Sequence, residues 1–223
     1  MLYKTNGIVL HHINYGDTSI IAYIYTDLFG RQSFIVNSVR SSRSKLKLNV
    51  FQPLSIVELN VYFKENREIQ RIKDIRFLIP QHEIPFQVIK SSIALFIAEI
   101  LYRTLREEEQ NEPLFEFLLH SIQLLDQTRE GVNNFHLVFL IQLSKFLGIF
   151  PDKTFIYSYG SGESERRILN ELINSSLQTL DKFKINNSIR NSLLTKLLDH
   201  YQLHLEGMGQ INSFSILKEI FND

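Results

Sequence analysis

Five basic residues, Arg31, Arg40, Arg43, Lys45 and Lys47, fall in a stretch that holds no acidic residue between Asp27 and Glu58. Guanidinium and ammonium groups gathered without carboxylates to neutralise them suit a polyanion, and a phosphate backbone is the polyanion they suit best. Read without function, the same stretch is a solvated loop. Arg67, Arg71 and Arg76 could extend the surface. In an unbulged strand, Arg71 and Lys73 point away from Arg76, so the three could not all meet one ligand. Base stacking would need exposed rings, and Tyr3, Tyr15, Tyr23, Tyr25, Phe34 and Tyr62 are available near the cations. Half or more of these are expected in a core or at its rim, because aromatics bury large apolar area. Tyr23 and Tyr25 share a strand face and act together, inside or outside.

Catalytic chemistry finds little support. His200 and His204 stand four apart on an expected helix, a spacing that could hold a metal, but Tyr201 follows His200 and the HExxH pattern is missing. His11 and His12 are neighbours in an expected strand, so their rings face opposite ways and cannot chelate together. Glu107-Glu108-Glu109 reads as a solvated run at a helix end. Gly160-Ser161-Gly162 lacks both the spacing and the strand–turn–helix setting of a nucleophile elbow. Neither a P-loop nor GxGxxG occurs. The chain is expected to act without catalysing a reaction.

The elements that must position the cations follow from the whole chain. Its 223 residues suffice for one large domain or two small ones. With 44% hydrophobic and 22% charged residues it reads as globular rather than disordered. It has no cysteine, which excludes disulfides, a cysteine-based zinc ribbon, an iron–sulfur cluster and a thiol nucleophile. No apolar run approaches the roughly 20 residues of a membrane span, and Met1-Leu2-Tyr3-Lys4 opens without a signal-peptide core. A cytoplasmic protein is expected. The 24 basic and 24 acidic residues cancel overall but not locally. Residues 1–80 carry 11 Lys and Arg against 6 Asp and Glu, a net of +5, and residues 81–223 carry the opposite net of −5.

The hydrophobic period changes near residue 80. Before it, short β-branched and aromatic runs alternate with turns: Ile8-Val9-Leu10 after Gly7, Ile20 to Thr26 after Tyr15-Gly16-Asp17, and Phe34-Ile35-Val36 after Gly30. Val57, Leu59, Val61 and Phe63 take one face of a fourth run, opposite Glu58 and Asn60. Arg67 to Leu78 is a fifth, and its broken alternation at Ile69, Ile72 and Ile75 suggests a bulge. Five such strands fit a small closed barrel. After Pro85 the period becomes helical. Stripes run from Phe86 to Leu101, from Phe115 to Leu125 behind the cap Asn111-Glu112-Pro113, and from Leu137 to Leu147. Further stripes open at Ile168 and Ile189, with a short last helix from Ser213. The expected class is α+β: a five-stranded barrel over residues 1–80, then an all-helical domain over 81–223.

The order of these pieces resembles a known family. Gly7-Ile8-Val9-Leu10, Tyr15-Gly16-Asp17-Thr18-Ser19, Tyr25-Thr26, Gly30-Arg31, Val39-Arg40 and Phe51-Gln52-Pro53-Leu54 are similar to the opening of the bacterial RecO family. Ala98-Glu99-Ile100-Leu101, Glu107-Glu108-Glu109, Pro113-Leu114-Phe115 and Leu143 to Gly148 resemble its helical part. Tyr201 to Gly207, then Ser213 to Phe221, resemble its end. The resemblance implies an N-terminal OB-fold, binding to single- and double-stranded DNA, and annealing of complementary strands. It also implies association with the tail of single-strand-binding protein, and partnership with RecR in loading RecA.

The chain departs from that pattern in three places. Many members carry four cysteines as a zinc-binding insert after the third helix. Residues 152–163 here are short and cysteine-free, so no cofactor or metal is expected. Asn37-Ser38 stands where the family often has Lys-Gly, so one basic contact is missing. Asn133-Asn134 stands where some relatives have basic residues that help hold the tail. Arg103, Arg129 or Lys145 could serve a tail site instead. The expected mechanism holds two strands together by neutralising phosphates without base-specific contacts. The rival readings are an RNA-binding OB module, or a structural adaptor acting through its helices.

Overall fold

The computed structural model describes residues 1–37, 39, 48–151, 155 and 162–222. Arg40, Arg43, Lys45 and Lys47 therefore lie outside the described residues. Five strands, β1 (Leu2–Tyr15), β2 (Ser19–Thr26), β3 (Gly30–Val36), β4 (Ile56–Tyr62) and β5 (Ile69–Ile79), close a barrel in the order β1-β2-β3-β5-β4. Every neighbouring pair is antiparallel except β3 with β5, which run parallel over Ser33–Ile35 and Ile69–Arg71. This is the expected five-stranded OB-type barrel, and helices follow it: α1 (Val88–Thr104), α2 (Glu112–Gln127), α3 (Phe135–Phe146), α4 (Glu163–Ile173), α5 (Asn187–His204) and α6 (Ser213–Asn222).

Strand alternation fills the barrel. Val57, Leu59 and Val61 point in from β4, Ile20, Ala22 and Ile24 from β2, Phe34 and Val36 from β3, all essentially without solvent contact. Removing these side chains from water is the main force closing the sheet. Closure also needs a gap in the side-chain layer. A Cβ on Gly7 would stand 2.6 Å from Ile24 Cγ2 and 2.9 Å from Leu59 Cδ1, so only glycine fits where β1 crosses between β2 and β4. The turn after β2 is tied back to β1 by Asp27, whose carboxylate accepts from the Asn6 main-chain N–H and from the Asn6 amide, each at 3.0 Å.

Two compact units can be distinguished. The first comprises Met1–His82 and Ala94–Ile122, the second Glu83–Ile93 and Gln123–Asp223. In the first, Asn111 caps α2 by accepting from the Leu114 N–H at 3.1 Å, and Pro113 sits in the opening turn, where its missing N–H costs nothing. In the second, buried Lys90 pairs with Glu83 and donates to the Asp126 carbonyl at 2.7 Å, while the Asp126 carboxylate accepts from the Glu83 and Ile84 N–H groups at 2.8 Å each. Nearby in sequence to the third helix, Asn134 is buried. Its amide donates to the Phe183 carbonyl and its oxygen accepts from Arg190. His136 and Arg190 both lie against the Phe221 ring, 5.2 Å from its centre in each case. Among the described residues no helix is long and apolar enough to cross a membrane.

Candidate nucleic-acid interface

A bulge decides which cations of β5 share a face. Asn60 pairs with Asp74 but the next residue, Val61, pairs with Ile72, so Lys73 is an extra residue in the ladder. Buried positions on β5 are Gln70, Ile72 and Ile75, and the step from Ile72 to Ile75 is three residues instead of two. Arg71, Lys73 and Arg76 are all exposed as a result. The restriction that applied to an unbulged strand is lifted by the bulge that the broken alternation suggested.

The outer face of β1, β4 and β5 forms three rows. Leu2 lies opposite Tyr62, and Tyr62 opposite Arg71. Lys4 lies opposite Asn60, and Asn60 opposite Asp74. Asn6 lies opposite Glu58, and Glu58 opposite Arg76. Glu58 is the pivot of the last two rows. Its carboxylate meets Lys4 Nζ at 2.7 Å through one oxygen and Arg76 Nη2 at 2.6 Å through the other. The hydrogen bond from Lys4, with Arg76 beside it, holds the Glu58 carboxyl below the ordinary range. Glu58 is 11% exposed, whereas Lys4 and Arg76 are 63% and 70% exposed, so both cations remain open to solvent. Lys4 escaped the sequence reading because the strand pairing that brings it to Glu58 and Arg76 spans more than fifty residues.

The outer face of β2 and β3 is occupied within the same unit. Arg31 donates to the carbonyls of Tyr102 at 3.0 Å and Leu105 at 3.1 Å, at the C-terminal end of α1. Its own N–H donates to the Glu107 carbonyl at 3.0 Å. Gly30 has a φ of 59°, and a Cβ there would stand 2.5 Å from the Glu109 carbonyl oxygen, so glycine admits the acidic segment to this edge. Tyr23 sits against Tyr102 at 4.9 Å and Tyr25 against Phe115 at 6.4 Å. Burial, then the nearby Glu107, pushes the Tyr25 hydroxyl up to about 12. Tyr23 and Tyr25 thus point outside the barrel together and are covered there. Phe34 is core. Tyr3 packs edge-on against Phe29 and Phe63 at the rim, and Tyr15 and Tyr62 are exposed. Arg67 is exposed in the turn between β4 and β5, which the Gln70 side chain closes by donating to the carbonyls of Lys64 and Arg67.

Comparison with known sequences places the chain. The sequence model described as Recombination protein O N terminal matches residues 1–80, and the one described as Recombination protein O C terminal matches residues 85–161. A DNA repair protein RecO of Phocaeicola vulgatus is 40% identical over 244 residues, covering 100% of both chains. One of Bacteroides fragilis is 39% identical over 243 residues and one of Flavobacterium johnsoniae 33% over 240, again covering 100% of both chains. The chain belongs to the RecO family of DNA repair proteins.

Set against what the RecO resemblance implied, the residues considered for a tail site divide between the two units. Arg103, in the first unit, stands 4.0 Å from Glu99 and over the Tyr102 ring. Arg129 and Lys145 are exposed in the second. Lys145 donates to Gln142 Oε1 at 2.8 Å and lies over the Phe150 ring. Asn134 is a buried tie to Arg190. His200 Nε2 lies 2.8 Å from the Ile149 carbonyl, and its ring is 4.5 Å from that of His204.

Proposed function

We propose that this chain is a non-enzymatic recombination mediator of the cytoplasm and nucleoid. It binds single- and double-stranded DNA through its barrel and anneals complementary strands. With RecR, it helps load RecA onto DNA coated by single-strand-binding protein, whose acidic tail it meets through its helices. The observation that carries this reading is end-to-end identity to proteins named DNA repair protein RecO, in a chain whose barrel presents exposed cations on one strand. Phosphate neutralisation is the physical core of the mechanism. Two strands repel each other along their whole length, and fixed cations lower that repulsion without selecting sequence.

The test is a strand-annealing assay with complementary oligonucleotides, run with and without single-strand-binding protein. Faster annealing of both bare and coated strands is the expected result. No acceleration on bare strands overturns the annealing activity, and acceleration confined to bare strands overturns the link to the coated substrate.

A further inference from the structure

We propose that single-stranded DNA runs along the outer face of β1, β4 and β5, stacking a base on Tyr62 and displacing Glu58 from Lys4 and Arg76 as its phosphates bind. The inference rests on the DNA-binding reading above and assigns that binding to a particular face. The small-barrel face that the aromatic pair Tyr23 and Tyr25 would have supplied is filled by Tyr102, Phe115 and the main chain of Glu107 and Glu109. Arg31, its cation, already serves two carbonyls.

The opposite strands offer what that face lacks. Arg71, Lys73 and Arg76 are exposed together because of the bulge, and Lys4 joins them across β4. Successive rows on one face are about 7 Å apart along a strand, on the order of one extended nucleotide. Arg71 and Arg76 hold the two outer rows and Asp74 the row between them, so the arginines can meet phosphates on either side of Asp74, with Lys73, its bulged neighbour, exposed in between. Tyr62, 45% exposed and directly opposite Arg71, sets an aromatic ring beside the first of these cations. A ring next to a phosphate-binding group is the arrangement that holds single strands without regard to sequence, because every base has a face to stack. A duplex keeps its bases stacked inside and cannot use the ring.

Glu58 gives the face its distinctive behaviour. It is a carboxylate already bound to two of the cations, so a phosphate must compete with it. Glu58→Gln removes the competing charge while keeping the size of the side chain. A purely structural ion-pair triad predicts that this variant binds DNA no better than the native chain. A competitor predicts tighter binding.

The experiment is fluorescence anisotropy of the full chain with labelled oligo(dT) across a range of salt, with melting curves for each variant. The Arg71→Ala, Lys73→Ala double variant should bind more weakly, with a log–log salt slope shallower by about 1.4, two contacts at about 0.7 each. Tyr62→Ala should lose about fivefold or more on oligo(dT) and little on an abasic oligomer of equal charge, while Tyr62→Phe keeps native affinity. Glu58→Gln should bind more tightly with a steeper slope. Native affinity and slope in a folded double variant overturn the face and leave DNA binding to be sought at residues 40–47. No oligo(dT) binding by the native chain overturns the DNA reading as well. Equal loss for Tyr62→Ala on abasic and base-bearing oligomers overturns the stacking role, and weaker binding by Glu58→Gln overturns the competition. Tighter binding to matched oligo(U) than to oligo(dT) overturns DNA as the occupant.

Discussion

Arg31 is joined to Tyr102 twice: Nη1 donates to the Tyr102 carbonyl at 3.0 Å, and the guanidinium carbon lies 5.3 Å from the centre of the Tyr102 ring. The carbonyls at the end of a helix have no partner within the helix, and here a side chain from β3 supplies one. An arginine placed this way orients the end of α1 against the barrel strand within one compact unit.

Arg31→Ala leaves the Tyr102 and Leu105 carbonyls without that donor. The expected cost is about 1.5–3 kcal/mol, the range for hydrogen bonds to a charged group. For a chain of this size that lowers Tm by roughly 3–12 °C. Arg31→Lys keeps the charge but not the planar fork, and should recover only part of the loss. The salt slope of DNA binding should hardly move. A shallower slope with unchanged melting would assign Arg31 to phosphate instead.

His136 makes the stability of the second unit depend on pH. Complete burial, with the nearby Arg190 adding to it, pushes its imidazole down to about 3 from 6.5. The folded chain therefore keeps the ring neutral while the unfolded chain takes up a proton below pH 6.5. Above that pH the group costs nothing. As pH falls from 6.5 toward 3, stability is lost at about 1.4 kcal/mol per unit from this residue. His136→Phe keeps a ring against Phe221 and removes the proton site. The variant's melting temperature should fall less steeply than the native one between pH 6.5 and 5. His11 is also lowered by its burial and by His12, so the comparison is between variant and native chain, whose His11 is the same. Parallel pH curves would show that His136 is protonated in the folded state.

The acid-free stretch makes a separate prediction. Replacing Arg40, Arg43 and Lys45 with Ala removes up to three phosphate contacts, so the slope for single strands should become shallower by about 2. The loss should be the same for oligonucleotides of different sequence, because phosphates carry no base identity. Melting should change by no more than surface substitutions usually cause, within about 0.5 kcal/mol. An unchanged slope in a well-folded variant would leave the stretch as solvated surface.

Much of the architecture was legible because it is written in local periodicity. Val57, Leu59 and Val61 alternate with Glu58, Asn60 and Tyr62, and a period of two leaves a half-buried strand little choice of face. Asn111-Glu112-Pro113 carries its own start signal, since a cap and a first-turn proline act within a few residues. The family was legible for a different reason: many weak motifs in one order identify a lineage where no single one does. The bulge in β5 was visible as a broken alternation, but the position of the extra residue depends on which partner each residue finds on β4.

The sequence alone determined the order of strands and helices, the family, and the presence of two oppositely charged parts. Only the tertiary structure decided which cations are available. Arg31 looked like the first member of a basic patch and is bound to main-chain carbonyls 71 and 74 residues away. Lys73 looked opposed to Arg76 and shares its exposure through a register shift. Lys4 was not singled out in the sequence and shares Glu58 with Arg76. The physical reason is common to all three. A side chain's direction follows from local geometry, but its partners follow from how the barrel closes, and closure brings together strands that the sequence keeps far apart.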